Sequence, residues 1–322
     1  MPDVRPVHSV SEHAEDQLGF LLDETGHGRR CALVTIVGIV ERASRNIGTQ
    51  MVVVDDGRYV GSVSSGCIDG SVADFALESL ASGQARRFRL GAGSDYFDLQ
   101  LPCGGGVELL ILPDPDDIVI RQAVDELRRR RPCALALSDD GVSIDVREAG
   151  GFVVEYRPKP RLVLAGRGSE LTVFTRLATA SGFDVQAFSP DEVDVESCKA
   201  RGAIASQLVS STDAPSIDAD AWTAVVTLFH DHDWEPAILS VALGTDAFYI
   251  GALGSQKTHE IRLQTLAGMN VEGRERIRGP IGLVPSMRNA TMLAISTLAE
   301  IVDAFNQRFP APDFRNVGPA SG

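Results

Sequence analysis

The chain has 322 residues and a mass of 34.4 kDa, long enough for two domains with separate cores. Its 30 Lys and Arg residues against 44 Asp and Glu residues give a net charge of −14, which repels phosphate backbones and anionic lipids. We therefore expect neither a nucleic acid nor a membrane surface as a partner.

The five cysteines are an odd number in a chain of this size and argue against a disulfide framework. The N-terminal residues have no apolar run, and no stretch has the roughly 18 apolar residues that a membrane span needs. We therefore expect a cytoplasmic protein with reduced thiols.

Apolar periodicity predicts a mixed α+β arrangement in the first half of the chain. The predicted helices are 8–22, 68–80 and 118–130, and the predicted strands are 31–40, 51–54, 59–63, 97–101, 107–112, 134–137, 142–146 and 152–156. An Asp-Gly pair at 56–57 predicts a hairpin turn. Arg86, Arg87 and Arg89 form a local basic patch that can hold a small anion.

Cys67 lies in a glycine-rich turn at the start of the predicted helix 68–80, between Gly66 and Asp69. A thiol at a helix N-terminus is close to unpaired amides and to the positive end of the helix dipole, which favour the thiolate. The sequence predicts that Cys67 acts chemically and that Gly66 and Asp69 contact a cofactor. The alternative is a small apolar side chain packed at a strand-to-helix junction.

A second thiol, Cys103, precedes the glycines 104–106 in a turn between two predicted strands. Three glycines give the backbone more freedom than a simple turn requires, which indicates positive φ or a close approach of a ligand at Gly104 and Gly105. A bulge or corner of the sheet is the alternative. Neither thiol has a second ligand at a zinc-type spacing, so no metal site is predicted.

Arg45 and Gly48 follow the first buried strand, where a guanidinium can clamp a phosphate or another oxyanion. A solvated loop arginine is the alternative interpretation of Arg45.

The second half begins after the stiff segment Arg157-Pro-Lys-Pro160, so we place domains at residues 1–156 and 161–322. Strands and helices alternate in this half, which predicts a parallel sheet of Rossmann-like type. The predicted strands are 162–165, 185–188, 224–228 and 248–250, and the predicted helices are 169–180, 236–243, 257–267 and 290–305.

A turn with Gly166, Gly168 and Ser169 joins a predicted strand to a helix, as in a dinucleotide-binding fingerprint. The fingerprint is incomplete, because Leu171 replaces the third small residue and Ser189 stands where an acid would bind a ribose. The amides at this helix start are still expected to bind an anion, which leaves NAD(P) as a candidate ligand.

His230 follows a predicted strand at the sheet edge where ligands bind, and we expect it to act as an acid or base or to contact a phosphate. A polar connection is the alternative. The segment 249–259 contains Gly251, Gly254, Ser255 and Lys257 in a strand, a glycine turn and a helix start, which suits an anion.

Two further motifs are Pro-Ile-Gly-Leu at 280–283 and Ile-Ser-Thr-Leu-Ala-Glu at 295–300. With the turns at 61–70 and 103–105, the His-Asp pair at 230–231 and the segment 249–255, they make the chain similar to the XdhC/CoxI family. Members of this family help to mature molybdenum hydroxylases such as xanthine dehydrogenase.

The resemblance implies an XdhC-like N-terminal domain and a protein that binds molybdenum cofactor (molybdopterin). It implies that the cofactor is protected during sulfuration by a cysteine desulfurase and is then delivered to an apo molybdenum hydroxylase. By this analogy Cys67 and Cys103 contact the cofactor or its sulfur. A homodimer is expected because small cofactors are often held between domains or subunits. On this hypothesis the protein is a chaperone and not an enzyme. The alternative is an NAD(P)-dependent oxidoreductase that acts on a small metabolite, with His230 or Lys257 as its acid-base group.

Overall fold

The computed structural model describes residues 4–7, 13–94, 104–144, 151–212, 215–231, 233–285 and 287–310. The chain folds into two compact units, Met1–Pro158 and Lys159–Gly322. No helix within the described ranges is both long and apolar enough to cross a membrane.

The first unit is built on a six-stranded sheet. Its strands are β1 (Arg5–Pro6), β2 (Cys31–Val40), β3 (Gln50–Val54), β4 (Arg58–Gly61), β5 (Arg86–Gly91) and β6 (Gly106–Pro113). They pair in the order β1-β4-β3-β2-β6-β5, and all pairs except β1–β4 are antiparallel. The strands predicted over 31–40, 51–54, 59–63 and 107–112 are confirmed, with small differences at their ends.

Helices cover both faces of this sheet. They are α1 (Ala14–Gly26), α2 (Asp69–Ser82) and α3 (Asp117–Arg128). Alternate residues of β2 point to opposite faces, so Val34 and Ile36 pack in one core with α2, and Leu33 packs in the other with α1 and α3. The predicted helix 68–80 is confirmed as α2, and Gly83 ends it in the left-handed conformation with φ 66°.

A three-stranded antiparallel sheet completes the first unit. It contains β7 (Cys133–Ser138), β8 (Gly141–Ile144) and β9 (Phe152–Tyr156) in the order β8-β7-β9. Leu135, Leu137 and Tyr156 of this sheet lie in the same core as α1 and α3. The three predicted strands are therefore confirmed as a small sheet packed on the larger one.

Strand β5 was not predicted, and the predicted strand 97–101 lies outside the described residues. The alternation explains the strand: Phe88 and Leu90 pack in the core with α2, and Arg87 and Arg89 are exposed on the other side. The alternation of apolar and polar residues is weak in the sequence because three of the six residues of this strand are arginines.

The second unit is a parallel sheet between two layers of helices. Its strands are β10 (Arg161–Gly166), β11 (Asp184–Ser189), β12 (Ile204–Gln207), β13 (Thr223–Leu228), β14 (Tyr249–Ala252) and β15 (Ile277–Arg278). Every pair is parallel, in the order β12-β11-β10-β13-β14-β15. This is the order of a Rossmann fold, which confirms the predicted fold class and puts the change of winding direction between β10 and β13.

The helices of the second unit are α4 (Gly168–Ala180), α5 (Glu192–Lys199), α6 (Glu235–Leu243), α7 (Gln256–Gly268) and α8 (Ala290–Arg308). One core contains Phe174 of α4 and Ile301 of α8, and the core on the other face contains Leu239 of α6 and Leu266 of α7. Helix α5 and strands β12 and β15 were not predicted. They are short and only partly apolar, so their periodicity is weak.

Candidate functional site

Three loops leave the same end of the six-stranded sheet in the first unit. The register pairs Gly61 with Met51, and it pairs both Val40 and Gly91 with Gly106. These residues therefore lie at the same end of the sheet. The described loop residues at this end are 41–49, 62–68, 92–94 and 104–105. The antiparallel pairing thus brings Arg45, Cys67, Gly104 and Gly105 to one end of the sheet.

Asp69, the first residue of α2, holds the 62–68 loop in place. Its side chain is buried, with 3% of the residue exposed, and both carboxylate oxygens accept hydrogen bonds. The donors are the hydroxyls of Ser62 (2.6 Å) and Ser64 (2.7 Å) and the backbone amides of Val63 (3.1 Å), Ser64 (3.0 Å) and Gly66 (2.9 Å). The buried carboxylate of Asp69 therefore fixes the backbone of the loop that precedes α2.

The loop turns sharply and leaves Cys67 exposed. Ser65 and Gly66 both have left-handed backbone, with φ of 58° and 97°, and a side chain at Gly66 would meet no atom within 4 Å. Cys67 is exposed immediately before the first turn of α2, where backbone amides have no partner within the helix. The interpretation of Cys67 as a packed apolar residue is therefore wrong.

The other described cysteines are less accessible than Cys67. Cys31 and Cys198 are buried, and Cys133 is partly buried. Burial raises the pKa of the Cys31 thiol to about 12 and that of the Cys133 thiol to about 11, and it also raises the pKa of Cys198. These three thiols are therefore protonated at neutral pH, as expected for inert core residues.

The glycines after Cys103 bring two loops into direct contact. A Cβ atom at Gly105 would lie 1.8 Å from the carbonyl oxygen of Arg42, so no side chain fits there. The carbonyl of Gly105 accepts a hydrogen bond of 2.9 Å from the amide of Ala92. Gly104 is exposed, with a left-handed φ of 74°. Cys103 itself lies outside the described residues, so the structure does not place its thiol.

The loop 41–49 is anchored beside these glycines. Ala43 and Ile47 pack against the core that contains α2, and the amide of Gly48, with φ 84°, donates to the carbonyl of Ile36 at 2.8 Å. The side chain of Arg45, between these anchors, is partly exposed. This loop places Arg45 at the end of the sheet where Cys67 lies.

The arginines of β5 do not form the free basic patch that the sequence suggested. Arg86 Nη1 lies 2.6 Å from Glu78 Oε2, Arg87 Nε lies 3.7 Å from Asp139 Oδ1, and Arg89 Nε donates to Glu108 Oε1 at 3.1 Å. Each guanidinium is already paired with a carboxylate, so these residues offer little unbalanced positive charge to an anion.

In the second unit, His230 and the fingerprint turn lie at the carboxyl ends of the neighbouring strands β13 and β10. The His230 side chain is 77% exposed, and its Nε2 atom is 3.6 Å from Glu170 Oε1. Arg167 Nη1 lies 3.9 Å from Asp231 Oδ2, and its guanidinium stacks over the Trp234 ring at 5.4 Å. His232 lies outside the described residues.

Packing and backbone conformation require glycine at positions 166 and 168 of the fingerprint turn. A Cβ at Gly166 would lie 2.7 Å from the Leu228 Cβ, and Gly168 has a φ of 67°. The amide of Gly168 donates to Asp194 Oδ2 at 2.7 Å, and the Ser169 hydroxyl is 3.0 Å from Glu170 Oε2.

Packing also accounts for the glycines of the segment 249–259. A Cβ at Gly251 would lie 2.6 Å from the Tyr249 ring, and one at Gly254, which has φ 146°, would lie 2.7 Å from Thr258. Ser255 caps α7, because its hydroxyl accepts a hydrogen bond of 3.1 Å from the amide of Thr258. Lys257 is exposed in the first turn of α7.

A buried ion pair beside this segment was missed at the level of sequence. Arg262 Nε lies 3.0 Å from Glu235 Oε2, and both side chains are almost fully buried. Thr227 donates to Glu235 at 3.2 Å, and Arg262 donates to the carbonyl of Leu253 at 2.6 Å, which holds the loop after β14. In the sequence, the position of Glu235 directly before the apolar run of α6 could have indicated a buried carboxylate. Its partner Arg262 is 27 residues away, so no local pattern indicates the pair.

Comparisons with known proteins agree on one family. A family model described as the XdhC Rossmann domain matches residues 162–301, and one described as the XdhC and CoxI family matches residues 25–91. The molybdenum cofactor insertion chaperone PaoD of Escherichia coli (strain K12) is 36% identical over 294 residues, which cover 88% of this chain and 86% of PaoD.

A solved structure shares the fold. The crystal structure of a protein named xanthine dehydrogenase, from Bacillus halodurans, matches with a TM-score of 0.77 and covers 93% of this chain and 97% of its own. The two sequences are 20% identical, so this likeness shows the fold alone.

Proposed function

Since this chain belongs to the XdhC and CoxI family, we propose that it binds molybdenum cofactor, protects it during sulfuration and delivers it to an apo molybdenum hydroxylase of the xanthine dehydrogenase type. The relative from Escherichia coli, named a molybdenum cofactor insertion chaperone, supports this role because the similarity extends over both units of the chain.

The observation that carries the proposal is the exposed thiol of Cys67 on a loop that a buried carboxylate holds rigidly. Thiolates are soft ligands that suit a thiophilic molybdenum centre and its sulfido group. A rigid loop keeps the sulfur and the adjacent amides in place before the cofactor arrives, which lowers the entropic cost of binding. In this proposal Cys67 contacts the metal end of the cofactor.

The neighbouring loops supply the rest of the proposed site. The pterin carries a phosphate, which needs a cation and backbone amides, and Arg45 with the exposed Gly66 and Gly104 can supply them at the same sheet end. Cys103 directly precedes Gly104 in the sequence, and we propose it as the second thiol. Within the second unit, taken by itself, we propose His230 and Lys257 as polar side chains that contact a ligand.

The proposal extends to the partners. A cysteine desulfurase supplies the sulfur, the apo hydroxylase receives the cofactor, and the protein acts in the cytoplasm as a homodimer. The chain itself catalyses no redox step in this scheme, so its activity is measured as cofactor content and as hydroxylase maturation.

The test compares the wild type with C67S and, as a matched control, C133S, whose thiol is partly buried and lies 3.6 Å from the carbonyl of Ala123. Each protein is purified from a molybdenum-replete host, and its molybdenum and pterin contents are measured. We expect the cofactor to copurify with the wild type and C133S and to fall at least about tenfold in C67S, the equivalent of roughly 1.4 kcal/mol of binding free energy.

Hydroxylase activity in a host that lacks this protein gives the second readout. Wild type and C133S should restore activity, and C67S should not. The proposal fails if the wild type neither carries nor binds molybdopterin and its removal leaves the host's molybdenum hydroxylases fully active. Turnover of a metabolite coupled to NAD(P)H would favour the oxidoreductase instead.

A further inference from the structure

The Rossmann fold of the second unit implies a dinucleotide at the switch between β10 and β13, and the residues present there do not fit one. In such folds the amides at the start of the helix after the first strand hold the pyrophosphate. Here that helix is α4, and the amide of Gly168 is already used in a hydrogen bond of 2.7 Å to Asp194 Oδ2.

The ribose position is altered in a related way. Ser189 ends β11, where a dinucleotide fold has an acid that accepts hydrogen bonds from the ribose hydroxyls. Its hydroxyl instead lies 3.3 Å from the same oxygen of Asp194. The groups expected to hold the pyrophosphate and the ribose therefore converge on a carboxylate of the protein itself.

Helix α5 positions the carboxylate of Asp194. Asp191 caps α5 by accepting a hydrogen bond of 2.9 Å from the amide of Val193, and the helix begins at Glu192. Asp194 therefore lies in the first turn of α5, close to the start of α4. The position is fixed by a capped helix and not by a free loop.

The surrounding charge also opposes a phosphate. Glu170 lies in the first turn of α4, and Asp231 follows β13 at the same edge of the sheet. The nearby cation, Arg167, is held between Asp231 and the ring of Trp234. An incoming pyrophosphate would meet like charges next to a helix start that is already neutralised.

We propose that Asp194 is a built-in replacement for the dinucleotide phosphate, and that the second unit binds no NAD(P) at this position. Its carboxylate satisfies the amide at the N-terminus of α4, so the fold is complete without a bound anion. This inference does not depend on the cofactor-chaperone role, because it concerns the second unit and Cys67 lies in the first.

The experiment uses the full chain as wild type, D194A, D194N and the control E196A, which removes a carboxylate of α5 that pairs with Lys199 on the surface. NADH and NADPH are titrated by fluorescence, and thermal unfolding is followed with and without inorganic pyrophosphate. The wild type should show no saturable binding of either nucleotide at millimolar concentration. D194A should lower Tm by about 3 °C, as expected for the loss of a helix cap, and E196A should leave it unchanged.

Two further measurements distinguish the role of Asp194 as a hydrogen-bond acceptor for Gly168 from the effect of its negative charge. D194N keeps an acceptor oxygen for Gly168, so its Tm should stay near that of the wild type. Pyrophosphate should raise the Tm of D194A more than that of the wild type, because the vacated helix start can then accept an anion.

Saturable NADH or NADPH binding by the wild type with a micromolar Kd would overturn the inference, and this measurement needs no variant. A Tm of D194A equal to that of the wild type would overturn the role of Asp194 as a cap. Equal stabilisation of both proteins by pyrophosphate would show that the site is open to phosphate in the native chain.

Discussion

At the scale of single residues, Asp69 determines how Cys67 is presented. The sequence suggested that Asp69 contacts a cofactor, and the structure buries its carboxylate behind the loop. A carboxylate in the first turn of a helix is stabilised by the helix dipole, and here it also accepts hydrogen bonds from the amides of Val63, Ser64 and Gly66. One side chain thus fixes the backbone on which the exposed thiol stands.

We expect D69N to lower the free energy of unfolding by about 3 kcal/mol, because the neutral amide loses charge-assisted hydrogen bonds and places a donor among donors. Urea denaturation of the full chain measures this change. D74N is the matched control on α2, since the described part of the chain gives Asp74 no hydrogen bond or ion pair, and it should change stability by less than about 0.5 kcal/mol. Equal stability of the two variants would contradict the role of Asp69.

At the scale of elements, the glycines near Cys103 are needed where loops touch. Gly105 has its backbone against that of Arg42, and the strands behind them pair Val40 with Gly106. The sequence predicted positive φ or the close approach of a ligand at these glycines, with a corner of the sheet as the alternative. The structure shows a close approach to a neighbouring loop of the protein.

G105A should therefore destabilise the first unit by at least about 3 kcal/mol, because a Cβ 1.8 Å from the Arg42 carbonyl oxygen forces the two loops apart. The control is G70A, in the first turn of α2, where a Cβ would meet no atom within 4 Å. G70A should be neutral or stabilising by roughly 0.5–1 kcal/mol, since alanine favours the helix. Denaturation midpoints of the two variants decide the point, and a stable G105A would refute the contact.

Two motifs that carried the family resemblance are connected by hydrogen bonds in the structure. Glu300 of α8 accepts hydrogen bonds from the Tyr249 hydroxyl at 3.0 Å and from the amide of Gly282 at 2.5 Å. The Ser296 hydroxyl accepts from the amide of Val284 at 2.8 Å. The motif 295–300 therefore holds the loop that contains the motif 280–283.

At the scale of the whole molecule, the two units have separate hydrophobic cores. The cores that contain Leu33 and Val34 draw all their residues from the first unit, and those that contain Phe174 and Leu239 draw theirs from the second. A core that is complete within one segment of chain can fold without the other segment.

We therefore expect residues 1–158 and 159–322, expressed separately, each to unfold in one cooperative thermal transition. Calorimetry and the dispersion of amide signals in NMR spectra test this expectation. A cut inside the second unit, after residue 200, separates β10 and β11 from β13 and serves as a control that should not fold. Loss of cooperative unfolding in both separate units would show that their cores are not self-sufficient.

Local patterns in the sequence were sufficient for the fold class and for most of the helices and strands, but not for β5, α5, β12 and β15. The alternation of strands and helices after residue 160 predicted the parallel sheet, and apolar runs such as Cys31–Val40 predicted the strands of the first unit, because these periodicities involve near neighbours in the chain. The glycine-rich turns also identified Cys67 as a candidate site residue. Strand β5 was not predicted because its three arginines make the alternation of apolar residues difficult to recognise.

The roles of the acidic residues depended on the folded chain. Asp69, Asp194 and Glu300 each satisfy amides that the sequence had left available to a ligand or to solvent. Gly168 and Asp194 are 26 residues apart, and Gly282 and Glu300 are 18 apart, so no local pattern reports that they meet. Composition and periodicity determine which elements form. The partner of each polar group is set by how those elements pack, because a hydrogen bond requires a donor and an acceptor within about 3 Å.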